Sequence, residues 1–535
     1  FTDPASGVFA NSEVAKRGTY NRGEIRAINW NATALLAYNR SIERHNINAS
    51  AGFEAAENIS NSSSARYEGF VEGTKASPKN ALSIIEGYPI FSDSRTRRAG
   101  TYLQFNYTFD DIYLADIAGR YEGSSAFGTK RKAGTFWSGG LGLNVHNYKW
   151  IRENMKFIDR LKVKATYGVT GKANFSPYDA RTSYKVNFDA PYIDQWGMSL
   201  IALGNENLTW EKVRKLDIGA EASLFGNMVN IFFDYYHEPT IDQVELISVP
   251  SSSGFKAYYG NVGEVLNEGL DLRMNVRLYS GKDSEIYLFA NLNHNTNKIT
   301  KIGEALQNYN SRIDEFFNGY AKDNSDLKYS RPFTKYEAGN SLSAIYGMKS
   351  LGIDPATGLE IYQKRDGTVT YTWSSSEQQR LGDYDPKLSG AFGFNLRWRQ
   401  WTMYSTFSFR LGGQAYNQTL SGIENINLEY YSGDRRALTD RWIEEGDFAA
   451  LKSIKDRKHT TRPTSRFVQN DNFLNLSSIS IGYEVSRNVC RRYGLSSLKF
   501  MLGAEDLAYI TSIRRERGTA YPFAYTINFS TNVSF

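Results

Sequence analysis

The feature that most constrains this chain is a strict two-residue alternation of apolar and polar side chains. At the C-terminus Tyr525, Ile527, Phe529, Val533 and Phe535 alternate with Thr526, Asn528, Ser530, Asn532 and Ser534. Leu270, Leu272, Met274, Val276 and Leu278 alternate with Asp271, Arg273, Asn275 and Arg277. Near the start Ile28, Trp30, Ala32, Ala34 and Leu36 do the same with Asn29, Asn31 and Thr33. The pattern recurs over Leu216 to Leu224, Val229 to Tyr235 and Phe392 to Trp398. Such a period puts one side-chain class on each face of a β-strand. Soluble strands usually run about five or six residues. Many of these run about nine to twelve, the length that crosses a bilayer at a tilt.

Composition agrees with a membrane barrel. Aromatics make up 14% of 535 residues, with 36 Tyr and 31 Phe, and the 45 Gly far outnumber the 12 Pro. Mean hydropathy is −0.49, and no run of about 18 apolar residues exists to make a transmembrane helix. A barrel reconciles these facts, because only every second strand residue meets lipid while the others face a wet lumen. A soluble chain of this length would divide into several domains. The expected fold is therefore all-β: a transmembrane antiparallel β-barrel.

Strands are expected near 26–39, 45–55, 101–109, 112–121, 135–145, 161–168, 214–225 and 228–236, and then near 268–279, 285–294, 389–398, 401–410, 474–485, 496–505 and 525–535. Short links (Asp110-Asp111, Gly226-Asn227, Ser280 to Ser284, Arg399-Gln400) alternate with long ones (56–100, 169–213, 237–267, 295–388, 411–473). Outer-membrane barrels pair short periplasmic turns with long extracellular loops. Placing Phe535 at the periplasmic rim sends every long link outward, leaving 146–160 as a long periplasmic turn. A further hairpin around Ser343 to Ser350 would fit within 295–388. Fifteen strands is an odd set whose first and last members run the same way. Such a sheet leaves two edges with unsatisfied backbone groups in hydrocarbon, so the pattern implies an incomplete barrel. Phe1-Thr2-Asp3-Pro4 has no signal-peptide character, which suits a mature, processed or incomplete chain.

The segments bounding the strands resemble the SusC/RagA family of TonB-linked outer membrane proteins. Leu161 to Lys172 (LKVKATYGVTGK) looks like the family's R-L-x-x-x-Y-G-x-T-G-N element, with Lys172 where Asn is usual. Asn207-Leu208-Thr209-Trp210-Glu211-Lys212 looks like N-x-x-L-x-W-E-K. Tyr235-Tyr236, Gly254-Phe255, and Gly260 to Val265 followed by Asn267 to Asp271 resemble Y-Y, G-F and N-x-G-x-x-x-N-x-G-x-E. Gly352-Ile353-Asp354-Pro355-Ala356-Thr357-Gly358 and Gly382 to Lys387 (GDYDPK) match two more signatures. Arg466-Phe467, Phe473 to Leu476 and Ile481-Gly482-Tyr483 resemble the entry to the penultimate strands, with Asn475 departing from the usual L-R-L. No G-x-D-P-E follows Leu507.

The resemblance implies a TonB box, a plug domain and a barrel of about 22 strands. On that count residues 1–535 are its C-terminal part, strands 8 to 22, starting in an extracellular loop. It implies a companion polypeptide with the plug and first strands, a SusD-like surface lipoprotein as lid, and energy from TonB, ExbB and ExbD. The expected activity is import of oligosaccharides or peptides through the outer membrane of a Gram-negative bacterium, amid lipid and lipopolysaccharide. It also makes Phe535, a terminal aromatic, the expected signal for barrel assembly.

Enzymatic and cofactor chemistry has little to stand on. Gly168 to Lys172 lacks the G-x-x-x-x-G-K-[ST] spacing of a phosphate loop. His45, His146, His237, His294 and His459 are scattered singly, and Cys490 is the only cysteine, so neither a disulfide nor a multi-Cys metal site can form. No catalytic residue, cofactor or metal is expected. Basic clusters such as Arg95-Thr96-Arg97-Arg98 suit solvated loops or anionic lipid headgroups better than nucleic acid. Trp196, Tyr258, Tyr259, Tyr430 and Tyr431 are the candidate ligand-stacking aromatics of the extracellular loops, although loop packing or an interfacial girdle accounts for them better. A passive porin and a barrel enzyme are the competing functions; the second needs an acid–base site that the sequence does not show.

Overall fold

The computed structural model describes residues 18–70, 73–85, 89–128, 130, 132–172, 178, 180–192, 195–248, 257–319, 327–426, 433–456, 460–513 and 525–535. One large sheet dominates. Its strands are β1 (Thr19–Ile42), β2 (His45–Phe70), β3 (Ile90–Phe109), β4 (Tyr113–Ser124) and β5 (Ala133–Asn144). Then come β6 (Ile158–Lys172), β7 (Glu211–Leu224), β8 (Val229–Ser248), β9 (Ala257–Ser280) and β10 (Ser284–Lys301). The last are β11 (Leu388–Trp398), β12 (Trp401–Tyr416), β13 (Val468–Glu484), β14 (Ser497–Thr511) and β15 (Thr526–Ser534). Each pairs antiparallel with its sequence neighbours, and the short strand Ala81–Ile84 adds to β2. All fifteen expected spans overlap one of these strands.

The strands are longer than the alternation predicts. β1 and β9 run 24 residues and β2 runs 26, although about 9–11 suffice to cross the bilayer. Stretches read as loop, such as Ser60 to Ser64, keep their ladder to β3 with Ser64 opposite Ile90. Lipid enforces the alternation only within the membrane. Beyond it the hydrogen-bond ladder alone continues the strand, and polar residues suit both faces.

On one rim the links are tight. Residues 43–44, 110–112, 225–228 and 399–400 contain left-handed residues: Glu43 (φ 50), Asp110 (φ 56), Asp111 (φ 53), Asn227 (φ 59) and Arg399 (φ 52). Asp and Asn tolerate that region best, and Phe225 (φ 58) occupies it as well. The long turn at 145–157 folds a helix, Lys149–Asn154, against its neighbour. Asn144 and Asn147 Nδ2 both donate to the Asp111 carbonyl, at 2.8 and 2.9 Å. The link 485–496, with the helix Arg487–Arg492, is a second longer turn on this rim, and the longest links, 173–210, 302–387 and 417–467, all leave from the opposite rim.

The register aligns outer-face residues in successive short rows. Leu36, Ala51, Leu103, Gly119 and Trp137 lie side by side on β1 to β5. Leu141, Ala165, Ile218, Tyr235 and Leu270 form another from β5 to β9. Ile481, Leu502 and Phe529 form a third from β13 to β15. Leu36, Leu103, Leu141 and Phe529 are 75%, 66%, 70% and 69% exposed. A continuous apolar surface of this extent needs lipid. The other face is polar: Lys164 pairs with Asp234 at 2.9 Å, Arg160 with Glu221 at 3.1 Å and Arg120 with Glu54 at 3.0 Å.

Among the described residues β1 pairs only with β2 among the long strands, and β15 only with β14. The sheet is thus an open wall with two parallel-running edges. The hairpin expected near Ser343 to Ser350 is not part of it. Ala344–Gly347 pairs with Gln379–Asp383, and Lys349–Ile353 pairs with Glu360–Gln363, in two small sheets outside the wall. Ala344, Ile345, Tyr346 and Met348 are buried there in protein rather than presented to lipid.

Candidate functional site

The two longest links, 302–387 and 417–467, rise from the same rim and fold against each other. Their junction is a buried charge fork. Arg466 Nε and Nη2 donate to Glu360 Oε1 and Oε2 at 2.8 and 2.7 Å. Its Nη1 and Nη2 also donate to Glu424 Oε2 and Oε1, both at 2.9 Å. The Glu360 and Glu424 side chains are 2% and 0% exposed. A planar guanidinium meets two carboxylates this way because its donors form a rigid fork. Thr464 and Thr461 hydroxyls donate to Glu360 and Glu424 at 2.6 and 2.5 Å, so the acceptor sites are filled further. Burial opposes charge on Glu424, but Arg466 overrides it and holds the carboxyl below the usual range. Arg441, also buried, donates to the carbonyls of Ala437, Lys452 and Glu424.

The signature segments are fasteners of this assembly. Asp354 accepts from the Ala356 amide, the Thr357 hydroxyl and the Tyr371 hydroxyl, at 3.0, 2.8 and 2.8 Å. These donors hold its carboxyl below the ordinary value. Gly358 closes that turn at φ 70, and its absent Cβ makes room for Trp442, whose Nε1 donates to the Pro355 carbonyl at 2.9 Å. Asp383 is half-buried, which opposes its ionisation, yet Ser341, the Asp385 amide, Ser343 and Arg380 outweigh that and lower its pKa. A second cluster ties the outer ends of β7 to β9. Asn261 Nδ2 donates to the carbonyls of Thr209 and Asp242, at 3.0 and 2.7 Å, while Glu211 accepts from the Val244 amide at 2.8 Å. Leu208 and Trp210 are buried beside them, and Trp210 meets Phe127 at 4.2 Å between ring centroids.

The candidate aromatics are scattered among these elements. Trp196 lies in a hairpin of Ser183–Tyr192 and Gln195–Ala202, between β6 and β7. Tyr258 and Tyr259 were expected in a loop, but they sit within β9, opposite Ile247 and Leu246, because the ladder runs past the membrane. The Tyr259 carbonyl accepts from Asn205 Nδ2 at 2.9 Å, so its backbone is part of the fastening. Tyr430 and Tyr431 lie outside the described residues. Phe535 follows β15 and is 90% exposed. The fork itself escaped the sequence reading. Glu360 and Glu424 stand 106 and 42 residues from Arg466, and no spacing rule links residues so far apart.

Chemically, the arrangement offers a polar wall of mutually neutralised charges and amides under a rigid loop assembly. Among the described residues no group of three or more His, Cys, Asp or Glu is placed to hold a metal.

Comparison with known proteins places this geometry. The family model described as TonB dependent receptor-like, beta-barrel matches residues 3–336. TonB-dependent receptor P3 of Formosa agariphila is 25% identical over 500 residues, covering 89% of this chain and 47% of the receptor. TonB-dependent receptor SusC of Bacteroides thetaiotaomicron is 25% identical over 400 residues, covering 71% of this chain and 37% of SusC. The chain thus spans about half the length, or less, of the curated relatives it matches. In structure it resembles the RagAB peptide importer in its open-open state, with a TM-score of 0.79 and 23% identity, over 97% of this chain and 56% of that one. A second structure of the RagAB peptide transporter gives 0.77 over 92% and 53%. By sequence family, strand topology and lipid-facing belt together, the chain belongs to the TonB dependent receptor-like β-barrel family of the Gram-negative outer membrane.

Proposed function

We propose that this chain forms the larger part of the barrel wall of a TonB-dependent importer of oligosaccharides or peptides. In this reading residues 1–535 supply strands 8 to 22 of about 22. A companion polypeptide with the plug and the first seven strands closes the ring, and TonB with ExbB and ExbD acts on that plug. A SusD-like lipoprotein covers the extracellular loops. Phe535 serves the assembly machinery, so its removal lowers the amount of assembled protein more than transport per molecule.

The observation that carries the proposal is the open wall. β1 and β15 both present a free edge, and unpaired N–H and C=O groups in hydrocarbon cost several kcal/mol each. A passive porin closes on itself and has no such edges. The relatives that this chain resembles are named as receptors and transporters, which supports import over catalysis. The experiment is uptake of candidate glycans and peptides in cells with and without TonB. The proposal expects uptake to need both this chain and TonB, whereas uptake that survives loss of TonB refutes it.

A further inference from the structure

Arg95 and Arg97 belong to the sequence cluster Arg95-Thr96-Arg97-Arg98, but the sheet sorts that cluster onto two faces. The β2–β3 register is unbroken from Ala51 opposite Leu103 to Ile59 opposite Arg95. Thr101, Ala99, Arg97 and Arg95 therefore share the lipid-facing side with Leu103, and Arg98 points to the other. Climbing that face, β1 presents Leu36, Ala34, Ala32, Trp30, Ile28 and Arg26, in register with Ala51 to Asn61 of β2. Phe53 and Tyr121, 47% and 58% exposed, lie level with Thr101, and Trp30, 46% exposed, lies four residues farther along, level with Arg97; such exposed aromatics suit an interfacial girdle. Arg97 stands level with Trp30, about 20 Å along the strand from Leu103, and Arg95 two residues beyond it, at about 26 Å.

Their arrangement is built rather than incidental. Glu57, which is 7% exposed, accepts from Arg95 Nε and Arg97 Nε through one oxygen, at 2.5 and 2.6 Å. Its other oxygen accepts from Trp30 Nε1 at 3.0 Å. One enclosed carboxylate thus gathers two guanidiniums whose side chains remain 51% and 60% exposed. Among the described residues no other carboxylate pairs with either arginine. Ile28 and Ile59 lie beside Arg95 at the same level. Arg26 and Asp93 lie together at the next level out, one on each side of Asn61, and Glu24 and Arg22 lie farther still from the membrane.

We propose that Arg95 and Arg97, held side by side by Glu57 and Trp30, bind the phosphate of an outer-leaflet lipid headgroup. Two guanidiniums with free fork donors suit a phosphate. Isoleucines and a tryptophan at the same height suit the start of its acyl chains, and basic residues at a membrane surface attract anionic headgroups. The position decides against a soluble anion, because the site abuts the lipid-facing belt rather than the lumen.

The test uses the native outer-membrane assembly in mild detergent, with native mass spectrometry to titrate diphosphorylated lipid A against its dephosphorylated form. Arg95→Gln and Arg97→Gln should each weaken binding of the phosphorylated form about fivefold, and together about thirtyfold. Arg98→Gln, a change in the same tetrapeptide on the opposite face, should leave it unchanged. Heat-modifiable mobility on gels confirms that each variant is folded, and the single substitutions serve if the double variant fails to assemble. Equal binding by the double variant overturns the proposal, as does an equal loss in Arg98→Gln. Preference for inorganic phosphate over lipid A at matched concentration overturns the lipid assignment.

Discussion

The wall and the loop assembly above it are held together by different physics. The wall has no interior of its own: its strands are joined by ladder hydrogen bonds, and its apolar residues stay outside, where lipid receives them. The loop assembly sits in water and must bury something. It buries small cores such as Ile345, Tyr416, Ile423, Ala437, Leu451 and Phe467, with the Arg466 fork beside them. The difference teaches where specificity comes from. In the wall a repeated rule suffices, and many residues are interchangeable. In the loops a few unique contacts carry the structure, each spanning tens of residues.

Breaking the fork should have the largest effect and should separate the two regions. Arg466→Ala leaves Glu360 and Glu424 buried without a cation, a loss of about 3–5 kcal/mol. Hydrogen exchange should rise across 302–387 and 417–467 while the ladders of β2 to β10 keep their protection. Equal loosening of the wall would show that the regions are not independent.

The next effect lies in the wall. Met274 and Ile218 are both on the outer face, and Arg at either should cost about 2–4 kcal/mol in lipid. Asn275→Arg, on the lumen side, should cost less, as measured by reversible folding into vesicles. Gly219 is a poorer lumen control than its position suggests. A Cβ there would lie 2.3 Å from both Asp234 Oδ1 and Lys164 Cε, so an arginine disturbs the ion pair lying across it.

A smaller effect should appear with acid. Asp354, Asp383 and Glu424 all have carboxyl pKa values lowered in the folded loops. Their contribution is therefore complete above the ordinary carboxylate range and is lost as pH falls through the lowered values. Proteolytic resistance of the loops should drop in that window before the wall unfolds. Loops that resist protease equally from neutral pH down to strongly acidic pH would contradict the assignment.

This contrast also explains what the sequence disclosed. The wall was legible because lipid and lumen impose alternation on consecutive residues, so that Leu270 to Leu278 announces a strand without its partners. Strand ends above the membrane were not, since Ser60 to Ser64 are held by a backbone ladder that needs no apolar alternation. The signature segments around Asp354, Asp383 and Arg466 stood out as a resemblance, yet their work as turn, socket and clamp emerged only from the fold. Tyr258 and Tyr259 looked like loop aromatics for the same reason that Ser60 to Ser64 looked like loop: nothing local marks a ladder continuing into water.

The central claim is that this wall is completed by strands from outside residues 18–535. The most direct measurement is a structure of the assembly extracted from native outer membrane, read at the free edge of β1. The account predicts that Thr19–Ile42 pairs on its outer side with a strand from outside this set, and that β15 pairs with another, in one closed ring. A ring in which β1 pairs directly with β15 would contradict it.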